Sequence, residues 1–254
     1  MNKQKLVRFI DKYYLKGLIQ SVVFNSNSKQ QKLDTRFVSD DKTLLGLVEM
    51  EKVTDFEDAT LGIYTTEQLL SLLGVLDDDI KVELLTSAET SYAVKITESA
   101  STVSTNYMLS DPSIINQPPK IQNIPEYELE IDITPTVRTK FIAGKSALPD
   151  ITTFTILTSA DTGVGADKEF SSTKLIIGYA SNSTNRVTIP VITPKFSQLD
   201  NISFNAEYFS KILEVNKECE SATLKVSSEG LAEIIFKVDD YTSTYWLVAA
   251  AEAD

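Results

Sequence analysis

One pattern of helix and strands occurs twice in this chain, and that repeat constrains its fold more than any other feature. Residues 205–213, Asn-Ala-Glu-Tyr-Phe-Ser-Lys-Ile-Leu, begin with a helix N-cap residue and place Phe209, Ile212 and Leu213 on one helical face. Residues 65–73 do the same with Leu69, Leu72 and Leu73, and Glu67 corresponds to Glu207, 140 positions later. Each helix is followed by two runs of strand-type alternation, 80–85 and 92–97 in the first half, 222–227 and 231–238 in the second. The segments between them, 87–91 and 228–230, are of hairpin length. A last strand closes each half, with Ser104 to Leu109 lying 139 positions before Ser243 to Val248.

The openings of the halves also correspond. Arg8-Phe9-Ile10 returns as Lys140-Phe141-Ile142, each inside an expected helix, and Thr134-Pro135 supplies the N-cap and first-turn residues of the second. Strands are expected over 17–25, 32–38 and 43–50 in the first half and over 152–157, 173–180 and 185–192 in the second. The chain is therefore expected to be α+β, a tandem duplication of a helix–strands–helix–strands domain. The segment 110–128 holds four of the eight prolines and has no regular period, as suits an extended connector. The expected division is 1–110, a connector 111–126, and 127–254. Ile114 and Ile115 either pin the connector down or bind a partner.

Composition narrows the function classes. The chain has no histidine and one cysteine, Cys219, so the commonest general base, a thiolate zinc site and an intrachain disulfide are all excluded. No apolar run is long enough to span a bilayer, and the N-terminus lacks a signal-peptide core, so an intracellular protein with no membrane association is expected. A net charge of −12 opposes indiscriminate adhesion to nucleic acid but does not exclude a basic face. One such face is legible. Lys5, Arg8, Lys12 and Lys16 recur at helical spacing beside the apolar stripe of Leu6, Phe9, Ile10 and Tyr13. A solvated helix face is the alternative reading, and mutual repulsion along one stripe weakens it.

Signals of enzymatic chemistry are weak. Ile142 to Ser146 spells part of a phosphate-binding loop, but Thr139 stands where a glycine is needed and the segment falls inside a helix. Asp161-Thr162-Gly163 matches an aspartic-protease triplet within a Gly- and Asp-rich stretch that reads as a hairpin loop. Asp77-Asp78-Asp79 lacks calcium-loop spacing and reads as a turn. No catalytic residue, metal site or cofactor is expected.

With "FNAEYFSKIL" and "LKVSSEGLAEIIFKVDDYTSTYWLVAAAEAD", the two-domain plan resembles the DNA sliding clamps, the family of proliferating cell nuclear antigen and of the clamps of large tailed phages. The Ala-Glu-Ala-Asp tail is more similar to the phage branch, which would place the protein on DNA in a host cytoplasm. The resemblance implies a processivity factor without enzymatic activity. Three subunits would close into a homotrimeric ring around double-stranded DNA without reading its sequence. The ring would hold a DNA polymerase and be opened by a separate clamp-loader ATPase. Carried onto this sequence, the DNA-facing cations would be Lys5, Arg8, Lys12, Lys16, Arg138, Lys140, Lys145, Lys211 and Lys217, while helix 65–76 has no basic residue to add. Subunits would pair strand 102–109 with strand 185–192, through Thr105, Tyr107 and Leu109 against Val187, Ile189 and Val191. Pro190 there suits an edge strand. A partner-peptide pocket would be lined by Leu44, Leu45, Ile114, Ile115, Pro118, Leu247, Val248, Ala249 and Ala250, with core packing the alternative for Leu247. A β-rich viral structural or assembly protein that never encircles DNA is the competing reading.

Overall fold

The computed structural model describes residues 1–87, 90–118, 123–161, 170–178 and 185–250. The chain forms two compact units, Met1–Pro119 with Lys237–Ser243, and Lys120–Phe236 with Thr244–Asp254.

The first unit opens with α1 (Lys3–Tyr14), capped by the Asn2 side chain, which accepts from the Gln4 amide at 2.9 Å. The strands β1 (Val22–Asn27), β2 (Lys32–Val38), β3 (Leu44–Met50) and β4 (Ala59–Ile63) follow, then α2 (Thr66–Gly74). The unit continues with β5 (Ile80–Ser87), β6 (Thr90–Glu98) and β7 (Ser104–Met108). Its strands lie in the orders β4-β1-β2-β3 and β5-β6-β7, antiparallel throughout.

The second unit repeats the plan. It runs β8 (Leu129–Ile133), α3 (Pro135–Ala147), β9 (Thr153–Asp161), β10 (Phe170–Ile177), β11 (Val187–Val191) and β12 (Ile202–Asn205). It then continues with α4 (Ala206–Val215), β13 (Ala222–Val226), β14 (Leu231–Val238) and β15 (Tyr241–Val248). Its sheets run β12-β9-β10-β11 and, from β15, β15-β14-β13-β8. Strand for strand these are the orders of the first unit. Even β8 has a trace there, because Asn2 bridges Asp79 beside β5 much as β8 pairs along β13.

The packing repeats with the topology. In the first unit Phe9 meets Phe24 edge-on at 5.2 Å, and in the second Phe141 meets Phe154 at 5.0 Å. Each pair joins the opening helix to the first strand of its sheet, and all four rings are buried. Tyr13 completes the first cluster, Phe209 and Phe204 the second.

Two of the three expected caps are present, and Thr65 at the start of α2 makes no side-chain cap bond. Asn205 accepts from the amides of Glu207 and Tyr208, and Thr134 from that of Val137 with Pro135 at the first turn. Other expectations shift. The helical spacing read through Lys16 outruns the helix, which ends at Tyr14 because Leu15, Lys16 and Gly17 all adopt positive φ (48°, 53° and 96°). The strand expected over 17–25 accordingly starts at Val22. The short strands β4, β8 and β12 fall outside the segments named as strands from the sequence. The Gly- and Asp-rich stretch from Thr162 to Lys168 lies outside the described residues.

Candidate nucleic-acid and partner surfaces

The nine cations carried over from the resemblance divide by environment. Lys5 and Arg8 are partly exposed on α1 and face an acidic turn of the same unit. Lys5 pairs with Asp240 at 3.4 Å and Arg8 with Asp239 at 3.2 Å, while the Arg8 guanidinium lies 4.8 Å from the Tyr241 ring centroid. Hydrogen bonding from Lys52, then from Lys5, holds the Asp240 carboxyl below the usual carboxylate range, so it stays charged.

Lys12 does not share that surface. Its residue is 1 % exposed and its ammonium lies 5.7 Å from the Tyr241 ring, tucked against the unit rather than presented to solvent. Lys16 is exposed but sits in the left-handed turn beyond α1, off the helical stripe. The four-cation stripe is thus reduced to Lys5 and Arg8 with Lys16 beyond it.

Arg138 is a second correction. It is 5 % exposed and donates to the carbonyls of Asn216 at 2.8 Å and Cys219 at 2.6 Å, just past the end of α4. The guanidinium ties down the turn that follows α4, near the negative end of that helix's dipole, and is a structural group. Lys145 donates to the Pro149 carbonyl in the loop just past α3 at 2.8 Å, and Lys211 pairs with Glu207 at 3.2 Å one turn away. Lys140 and Lys217 are exposed. Among the described residues α2 has no basic side chain in its last turn.

The residues expected at a subunit contact lie on outer strands, with β7 last in β5-β6-β7 and β11 last in β12-β9-β10-β11. Two of them point inward instead. Tyr107 is buried, and its hydroxyl accepts from the amides of Tyr64 and Thr65 at the start of α2, at 3.2 and 3.0 Å. Ile189 is buried in its own unit. Thr105, Leu109, Val187 and Val191 are half-buried. The apolar groups that strand alternation leaves outward are Met108 and Ile192, 63 % and 66 % exposed. Sequence reasoning passed over both, although each sits at the end of a segment assigned to an edge.

Of the expected peptide pocket, Leu44, Ile115 and Leu247 are buried within their units and serve as core. Ile115 packs under the connector, against Gly62, while its neighbour Ile114 is 63 % exposed. The two isoleucines thus divide between the two roles considered for them. Leu45, Pro118, Ala249 and Ala250 are half-buried and Val248 is exposed. Among the described residues no group of three or more acidic, cysteine or histidine side chains could hold a metal ion, and no helix is long and apolar enough to cross a membrane.

No protein-family model matches the chain, and no curated protein matches it by sequence. Solved structures do. Proliferating cellular nuclear antigen from Entamoeba histolytica superposes with a TM-score of 0.73 at 15 % identity, over 98 % of this chain and 96 % of that one. The fold is that of proliferating cell nuclear antigen. The A. fulgidus antigen, in a structure with the C-terminal region of FEN-1 bound, gives 0.72 at 14 % identity, over 100 % and 98 % of the two chains. The likeness thus extends over both units, while at such identity individual side chains have diverged.

Proposed function

We propose that the chain is a DNA sliding clamp, a homotrimeric ring that encircles duplex DNA and tethers a DNA polymerase. The observation that carries this reading is the duplicated strand order across the full length of the clamp fold. Duplication also supplies the logic of closure. Within the first unit, the Glu51 amide just past β3 donates at 2.8 Å to the Asp240 carbonyl, in the turn that leads into β15. By topology β11 is the counterpart of β3, and β7 is the counterpart of β15. A contact of the same kind between β11 of one copy and β7 of the next is heterologous, and three such contacts close a ring. Met108 and Ile192 would be covered there.

In this reading the domains are 1–110 and 127–254, joined by the connector 111–126. The DNA-facing cations are Lys5, Arg8, Lys16, Lys140 and Lys217. Their phosphate contacts are loose and carry no base readout, which lets a ring slide. The A. fulgidus antigen has the C-terminal region of FEN-1 bound. By analogy this chain docks short segments of its polymerase and of a clamp-loader ATPase, with the exposed Ile114 as an apolar contact. The protein itself performs no chemistry.

Light scattering tests the assembly first: a species near three times the 28.2 kDa chain mass supports the ring. Retention on circular but not linear DNA then tests encirclement. A monomer at all concentrations, or equal loss from both templates, refutes the proposal and favours a structural protein that never encircles DNA.

A further inference from the structure

The outer edge of β4 borders a cavity of about 470 Å³ in the first unit, lined in part by Asp58, Thr60, Gly62, Tyr92, Ser110 and Asp111. Three observations define what it can take. The first is an interrupted ladder. The Ser110 amide donates to the Gly62 carbonyl at 2.9 Å in an isolated antiparallel bridge. A Cβ on residue 62 would lie 2.1 Å from the Ser110 oxygen, so only glycine admits this approach. The next bridging position would set Thr60 opposite Pro112, which has no N–H and opens a 3-10 turn, Pro112–Ile114. The chain leaves the edge there.

The second observation follows from strand alternation. Backbone groups of residues 60 and 62 point to the same side of β4. Since the Gly62 carbonyl points away from β1, the N–H and C=O of Thr60 do too, into the cavity. They have no partner among the described residues. An open pair of this kind is a template for an added strand.

The third observation is charge. Asp58 accepts from the Ser28 amide and Asp111 from the Ser113 amide, and these bonds hold both carboxyls below the usual range, so both stay ionised. The Tyr92 ring is exposed at the same cavity and offers a face to a cation.

We propose that this edge is a docking site for a short extended peptide carrying lysine or arginine. The peptide pairs its backbone with Thr60 and places its cations against Asp58, Asp111 and Tyr92. The site lies within one unit and does not depend on ring formation.

The probe is the synthetic pentapeptide acetyl-VKTKV-amide, titrated into the full ¹⁵N-labelled protein. Amide shifts at Thr60, Gly62, Ser91 and Ser110 are expected, and the acidic control acetyl-VETEV-amide is expected to cause none. Thr60→Pro removes the outward N–H while leaving the pairing with β1, because proline is tolerated on an edge strand. It should weaken binding up to about tenfold, the loss of one backbone hydrogen bond. Asp58→Asn with Asp111→Asn keeps the acceptors but removes the charge, and should weaken binding about fivefold. Thermal unfolding of each variant checks that the unit is intact. Absence of site-specific shifts at millimolar peptide overturns the proposal. So does undiminished binding by folded Thr60→Pro, or equal binding of the acidic control.

Discussion

Replacing Arg138 by methionine should unfold the second unit more readily without touching DNA contact. Methionine keeps most of the apolar stem but deletes the guanidinium that bonds Asn216 and Cys219 at 2.8 and 2.6 Å. Each charge-assisted hydrogen bond of this kind contributes about 1.5–3 kcal/mol. The favourable placement at the end of α4 adds roughly 0.3–1 kcal/mol. Against that, methionine relieves the desolvation of a buried cation, which offsets part of the loss. A net destabilisation of about 3 kcal/mol is expected. Urea denaturation measures it as a lowered midpoint at unchanged slope. Arg138→Lys, which supplies a charge but not a two-pronged donor, should recover about half. A loss of under about 1 kcal/mol in Arg138→Met would refute the cap, because two charge-assisted hydrogen bonds would then contribute almost nothing. The slope of DNA affinity against salt should stay unchanged in this variant. Lys140→Gln should instead lower that slope by about 0.9 with stability intact.

Gly62→Ala should cost about 1–3 kcal/mol and free the 110–115 segment, read by hydrogen exchange at Ser110, since the added methyl meets backbone rather than a yielding side chain. Met108→Lys or Ile192→Lys should shift the light-scattering mass toward the monomer with an unchanged melting temperature, if these two exposed groups are covered on assembly. Burial pushes the Tyr13 phenol above its ordinary value, the hydrogen bond with Thr66 opposing only in part. The unfolded chain therefore gives up this proton near pH 10 while the folded chain keeps it. Stability is full below pH 10 and falls above it by about 1.4 kcal/mol per pH unit. Tyr13→Phe should flatten that alkaline decline, measured as urea midpoints between pH 9 and pH 11.

The sequence revealed the duplication because the repeat lies in groups that have no substitute. Asn2 and Thr134 accept amides at the starts of the two opening helices, and Phe9 and Phe141 fill the same place over Phe24 and Phe154. The strands β4 and β12 escaped because they are short and carry little alternation of their own. β4 reads Ala-Thr-Leu-Gly-Ile, and its place is set by pairing with β1 rather than by propensity. Helix spacing likewise could not separate the two fates of a basic residue. Arg8 and Lys12 lie one turn apart on α1, yet Arg8 meets an aspartate at the surface while Lys12 is buried beside Tyr241.

The decisive partners lie more than 200 residues away, in the turn Asp239-Asp240-Tyr241, and no local pattern announces them. Arg138 shows the same principle within the second unit. Its spacing from Lys140 and Lys145 suggests a shared basic face, but the carbonyls at the end of α4 claim it first. A buried cation must find acceptors, and helix ends are where unpaired acceptors collect. A basic residue near the start of one helix is therefore as good a candidate for capping its neighbour as for holding phosphate. The Asp239-Asp240 turn gives this choice a functional edge. On the proposed clamp reading, DNA phosphates would compete with the two carboxylates that already pair Lys5 and Arg8, and the resulting contact would be weak. Weak contact suits a ring held on by topology, so replacing Asp239 and Asp240 by asparagine should tighten binding to linear DNA and slow sliding on circular DNA. Diffusion of the labelled protein along stretched DNA measures the second effect, and an unchanged or faster rate would separate these cations from the DNA path.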